Sequence, residues 1–176
     1  DNLLMRLAEV IMSIPSFYLL LALAAVLPIS LSSTMRFFLI ITILSFQGWA
    51  GMARVIRGMV LSIRNEEYVM AANAIGAKDS RVIIKHIIPA TTTYVIVRAT
   101  VAIPGYIIME SGLSFLGLGI QEPDASWGNM LTAAQNVSKI TKFPWLLIPG
   151  FMIFIAVLSY NMLGDGLRDA LDPKYS

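Results

Sequence analysis

WLLIPGFMIFIAVLSYNML, residues 145–163, carries no charged side chain and decides the fold class. A helix rises about 1.5 Å per residue, so about 20 mostly apolar residues cross a hydrocarbon layer about 30 Å thick. Three further segments approach that standard, at about residues 10–32, 37–53 and 87–108, the second diluted by Gln47, Gly48 and Gly51. Composition agrees: 57% of residues are hydrophobic, 14% are charged and the mean hydropathy is +0.73. Soluble domains carry about a quarter charged residues. The expected fold is therefore all-α, a polytopic membrane helix bundle forming one transmembrane domain over residues 1–176. Pro15, Pro28, Pro104 and Pro149 fall in or at the ends of spans, which predicts kinked helices whose freed backbone groups are satisfied by neighbours.

Basic residues set the expected orientation. The stretch between the second and third spans holds Arg54, Arg57, Arg64, Lys78, Arg81 and Lys85, with Arg6, Arg168 and Lys174 expected on the same side. The other side holds Arg36, Lys139 and Lys142. Loop 54–86 and both chain ends are accordingly expected in the cytoplasm, with the lipid bilayer as the main surrounding. The net charge of +2 is spread without an aromatic-laced basic surface, so no nucleic-acid partner is expected. There is no cysteine and only one histidine, His86, which argues against thiol chemistry, a Cys- or His-built metal site and a Ser-His-Asp triad. No cofactor or metal is expected.

Arg98 stands near the middle of the third span, where an unpaired charge is costly. Two readings stay open. Arg98 lines a translocation path, or it forms a structural pair with Glu110 or with an acidic group in a segment missing from this sequence.

The loop reads RVIRGMVLSIRNEEYVMAANAIGAKDSRVIIKHIIP over residues 54–89. Asn65 is expected to cap a short helix with Glu66 and Glu67 in its first turn, where the helix dipole favours acids. Tyr68, Ala71, Ala72 and Ile75 recur on one helical face, and Gly76 follows as a left-handed C-terminal cap. Asp79 or Ser80 can cap a second helix bounded by Pro89. Such a small, smooth face suits docking into a partner's groove or, alternatively, packing on lipid headgroups.

Ala71-Ala72, Gly76 and Pro89 at this spacing resemble the EAA signature of ABC importer permeases, with Met70 and His86 replacing the family's Glu and Ile. The acid stands instead at Glu67, in EEYVMAANAIG, a form similar to the C-type permease of the dipeptide, oligopeptide and nickel subfamily. DNLLMRLAEVIMSIP (1–15), SGLSFLGLGIQEPDASWGNML (111–131) and NMLGDGLRDALDPK (161–174) resemble further elements of that subfamily in order. The resemblance implies the C-terminal four membrane helices of the type I ABC importer transmembrane fold, in a bacterial or archaeal inner membrane. It implies a coupling helix in which Glu67, Ala71, Ala72, Gly76, Ala77 and Lys78 contact an ATP-binding subunit. It also implies a second homologous permease subunit and an extracytoplasmic solute-binding protein as partners, and transport of peptides, nickel or a glutathione-like solute. Two more N-terminal helices are usual in the family, so the chain is expected to be a partial permease.

Segment 111–143 is too polar and glycine-rich to span, and a re-entrant or surface-lying structure is expected, with a turn at Glu122-Pro123-Asp124 and Trp127 as an interfacial anchor. Gly164, Asp165 and Gly166 are expected to break the fourth span before a short charged helix containing Arg168, Asp169 and Asp172. Asp165 and Asp169 resemble a carboxylate pair, yet no pocket, nucleophile or histidine is expected near them, and no catalysis is expected. No phosphate-binding G-x-x-x-x-G-K-[ST] loop occurs, so ATP hydrolysis would belong to another polypeptide. The competing class, a secondary transporter or channel subunit working without ATP, predicts repeated halves with matched broken helices. No internal repeat is visible.

Overall fold

The computed structural model describes residues 1–28 and 31–171, and every regular element among them is helical. The α-helices are α1 (Asn2–Ser13), α2 (Ser16–Val26), α3 (Ser33–Ile63), α4 (Glu67–Ala74), α5 (Asp79–Val82), α6 (Ile88–Phe115), α7 (Trp127–Leu131), α8 (Val137–Lys142) and α9 (Ile148–Leu171). A π-helical turn, Ile83–Ile87, makes α5 and α6 continuous, and 3-10 turns at Thr132–Gln135 and Pro144–Leu147 precede α8 and α9. Three helical stretches are long and apolar enough to cross a membrane: Ser33–Ile63, Asp79–Phe115 and Pro144–Leu171.

Segment 10–32, expected as one span, is broken: α1 and α2 meet at 79°. Pro15 lacks an N–H and drives Ile14 out of the helical region, and Ile14 is extended, with ψ 122°. The freed Ile14 carbonyl accepts a hydrogen bond of 3.0 Å from Gln47 Nε2 on α3. Each half packs against α3. Ala8 and Ile11 of α1 cluster with Ala50, and Leu20 and Ala24 of α2 cluster with Ile40, Leu44 and Leu113. With 11 residues, α2 is about 16 Å long and covers half a bilayer.

Helix α3 begins before the expected boundary and runs on to Ile63, deep into the stretch read as loop. Near that end Arg57 pairs with Asp1 at 2.6 Å and Arg54 with Glu9 at 3.8 Å. These are exposed pairs, worth little each. The break expected at Gly164-Asp165-Gly166 does not occur, because α9 continues to Leu171. Its buried Gly164 faces Val101 of α6, where a Cβ would come within 2.6 Å of the valine Cγ2. Packing between close backbones outweighs the glycine's poor helix propensity here. Asp172 and Lys174 lie outside the described residues.

At the end opposite the Arg54–Pro89 stretch, segment 111–143 folds back over the bundle. Helix α6 extends into it as far as Phe115, and the turn at Glu122-Pro123-Asp124 is present, with Asp124 N–H donating to the Gln121 carbonyl at 3.1 Å. Helix α7 opens with a capping box in which the Ser126 hydroxyl accepts from Asn129 N–H at 3.1 Å and the Asn129 side chain accepts from Ser126 N–H at 3.0 Å. The buried backbone of Gly128 rests on the Ser111 carbonyl. Arg36, only 4% exposed, ties this cover to the start of α3, donating to the carbonyls of Pro28 at 3.1 Å and Leu118 at 3.4 Å.

Candidate functional site

Two features stand out, one in the loop and one along α6. In the loop, α4 starts at Glu67, with Glu66 as its N-cap and no side-chain cap. The cap expected from Asn65 is not made, since its amide donates instead to the Leu61 carbonyl at 3.1 Å and closes the preceding helix. Lys78, rather than Asp79 or Ser80, is the N-cap of α5. The C-terminal end of α4 follows the expected chemistry. Gly76 has φ +80°, Ala77 N–H reaches the Ala72 carbonyl at 3.1 Å, and Gly76 N–H reaches that of Asn73 at 2.9 Å. This is a Schellman cap, which a left-handed glycine permits without Cβ strain.

Val69 is the buried residue of α4. Glu67, Tyr68, Ala71, Gly76 and Lys78 are exposed, Ala72 and Ala77 are half-buried, and Ile75 is 86% exposed. A face of small side chains tipped by an uncovered isoleucine thus points away from the bundle. The Tyr68 ring lies 5.7 Å from that of His86, joining α4 to the π-helical turn.

The second feature is a succession of cavities along α6, winding partly around it. The first, about 780 Å³, lies between α6 and α9 and is lined by Tyr94, Arg98, Asp165 and Arg168 among others. The next, about 380 Å³, shares Arg98 and Val101 with it and reaches the α1–α2 break through Ile14, Ser16 and Gln47. The third, about 280 Å³, shares Leu44 and Tyr106 with the second and is walled by Phe37, Trp127 and Glu110. Each cavity thus shares lining residues with the next, from the loop end of α6 to the cover formed by α7.

Arg98 is exposed to these cavities, and among the described residues no acid forms an ion pair with it. The alternative pairing with Glu110 is not made. Twelve residues separate the two on one helix, about 18 Å along its axis. Glu110 is instead held by Ser114, whose hydroxyl donates to it at 2.6 Å while accepting from Ile120 N–H at 2.9 Å. Trp127, expected as an interfacial anchor, is partly exposed and also helps to wall the third cavity. Asp165, expected without a pocket, lines the first cavity beside Arg168. Sequence reasoning noticed Pro15 without locating the cavity beside it, and it treated Glu110 only as a partner for Arg98. The signal available was that Arg98 and Glu110 are the only charged residues of α6. No cluster of metal-ligating side chains occurs among the described residues.

Across residues 1–176 the chain matches the family model for the binding-protein-dependent transport system inner membrane component. It is similar to the oligopeptide transport system permease protein OppC of Bacillus subtilis, at 42% identity over 99% of this chain and 55% of that protein. Similarity to the dipeptide transport system permease protein DppC of the same organism is 43% identity over 99% of this chain and 52% of the relative. For the OppC of Haemophilus influenzae the figures are 41%, 99% and 54%. The chain spans about half the length of the curated relatives it matches. With an all-helical, membrane-capable bundle and a match over its whole length, this multi-pass membrane protein belongs to the family of binding-protein-dependent transport system inner membrane components.

Proposed function

We propose that the chain forms half of the translocation pathway of an ATP-driven peptide importer and takes its drive from an ATP-binding subunit at α4. The observation that carries this is the continuity of Asp79–Phe115. One helical stretch begins directly beyond the exposed α4–Gly76 surface and ends at the far side of the cavity row, so a push on α4 can move the cavity walls. Glu67, Ala71, Ala72, Gly76, Ala77 and Lys78 form the contact. Arg98 lines the pathway. The loop end faces the cytoplasm of a bacterial or archaeal cell, a second homologous permease closes the pathway, and a solute-binding protein delivers the cargo to the cover formed by α7 and α8. Peptide as cargo rests on the names of the relatives.

The test is Gly76→Val against Gly76→Asn in the assembled transporter. Within this chain nothing lies within 4 Å of a Cβ built at Gly76, so inside the protein the substitutions act through φ, and Val and Asn place a side chain of similar size at the partner contact. Asn tolerates the left-handed region, whereas a β-branched residue does not. Val is expected to abolish peptide uptake and its coupling to ATP hydrolysis while membrane insertion persists, and Asn to retain most of both. Undiminished uptake with Val would remove the coupling role from this surface.

A further inference from the structure

Resting on the peptide-importer reading, we propose that α6 is a two-point clamp for a zwitterionic oligopeptide, with Arg98 taking the C-terminal carboxylate and Glu110 the N-terminal ammonium. Both charges border neighbouring cavities that share Leu44 and Tyr106 as lining, at levels turned about 120° from one another around the helix axis, and α6 carries no other charge. Ionisable groups at membrane depth are costly and persist where a pathway uses them. Arg98 has no acidic partner among the described residues, and its guanidinium offers the fork geometry that a carboxylate accepts. Glu110 is turned by the Ser114 hydroxyl towards a cavity walled by Phe37, Tyr106 and Trp127. A carboxylate beside aromatic rings is the chemistry that holds an alkylammonium, through charge and ring faces together. The Ser114 hydroxyl at 2.6 Å on one oxygen and the Ser111 hydroxyl at 3.5 Å on the other occupy part of each oxygen's capacity and leave acceptor sites for the incoming N–H groups.

The spacing sets the length of the cargo. Levels about 18 Å apart match an extended chain of about five residues at about 3.4 Å each, or four when the two side chains lean inward. Arg98 lies towards the loop end of α6, so the peptide would lie with its C-terminus towards the cytoplasm.

The test uses the complete transporter in nanodiscs without solute-binding protein, so that discrimination between termini is the permease's own. Binding of radiolabelled penta-alanine is compared with that of its N-acetyl and C-amide derivatives and of di-alanine. Loss of one charged hydrogen-bonded contact is expected to weaken binding about tenfold for either blocked peptide, and di-alanine, engaging one point at a time, by at least as much. Glu110→Gln should erase the N-acetyl penalty and keep the amide penalty; Arg98→Gln should do the reverse. The clamp is overturned if wild-type transporter binds free and blocked peptides alike, or binds no penta-alanine while the full system still imports it. Absence of ATP-dependent peptide import by the full wild-type system would instead sink the importer reading on which the clamp rests.

Discussion

Gly164→Ala puts the α6–α9 contact to a quantitative test. The new methyl would lie 2.6 Å from Val101 Cγ2, against an ordinary carbon–carbon contact of about 3.5–4.0 Å. Valine in a helix has essentially one χ1 rotamer, so its methyl cannot swing aside and the helices must separate by about 1 Å. Overpacking of this kind costs about 1–3 kcal/mol, while alanine gains about 1 kcal/mol of helix propensity over glycine. A net loss of about 1 kcal/mol is expected, or about 2–4 °C in Tm for a chain of this size. In a Val101→Ala background the obstructing methyl is gone and only the propensity gain remains, so the same substitution should raise stability by about 1 kcal/mol. The coupling between the two positions is then about 2 kcal/mol, within the range for touching residues. Thermal unfolding of the detergent-solubilised complex, followed by circular dichroism for wild type, both single variants and the double, closes the cycle. If Gly164→Ala stabilises equally in both backgrounds, the close approach of α9 to α6 at this point is wrong.

Gln47→Leu removes the donor that satisfies the Ile14 carbonyl at the α1–α2 break, and the residue is only 9% exposed. A loss of about 1–3 kcal/mol in the same unfolding assay is expected, and an unchanged Tm would show that the carbonyl finds another partner. Arg36→Met releases the carbonyls of Pro28 and Leu118, so a Gln121→Cys reporter in this cysteine-free chain should react faster with a membrane-impermeant maleimide. Equal rates would mean that the cover is held without Arg36. Cysteines placed singly at the exposed positions Ser80 and Ala125 should label from opposite sides of the membrane, and labelling of both from one side would refute the proposed orientation.

Much of this architecture was legible from local chemistry. An uncharged run such as 145–163 admits few structures other than a membrane helix, and a glycine following a small-faced helix admits few ends other than the left-handed cap found at Gly76. What escaped depends on contacts distant in sequence. Asn65 has two helix ends within reach, and only the packed structure selects the carbonyl of Leu61 over the start of α4. Gly164 and Gly166 read as breakers because propensity does not know that Val101 lies opposite the first of them. The segment around Pro15 carried the signal of a kink, but its depth beside Gln47, and the cavity it opens towards Arg98, arise from two helices meeting. Charge at Glu110 was visible; its direction was set by Ser114 and by the fold-back of segment 111–143.

The π-helical turn at Ile83–Ile87 has a consequence for angular phase. A π turn accommodates one residue more than an α turn, and one residue corresponds to about 100° of rotation about the helix axis. Everything beyond it, Arg98 and Glu110 included, is therefore set back by roughly that angle from where an uninterrupted α-helix of the same sequence would place it. Closing the turn as ordinary α-helix with every residue kept would rotate both charges by that angle, whereas deleting the exposed Ile84 together with the closure would leave them where they are. The π turn is thus an indexing device, fixing which side of a long apolar rod faces the cavities.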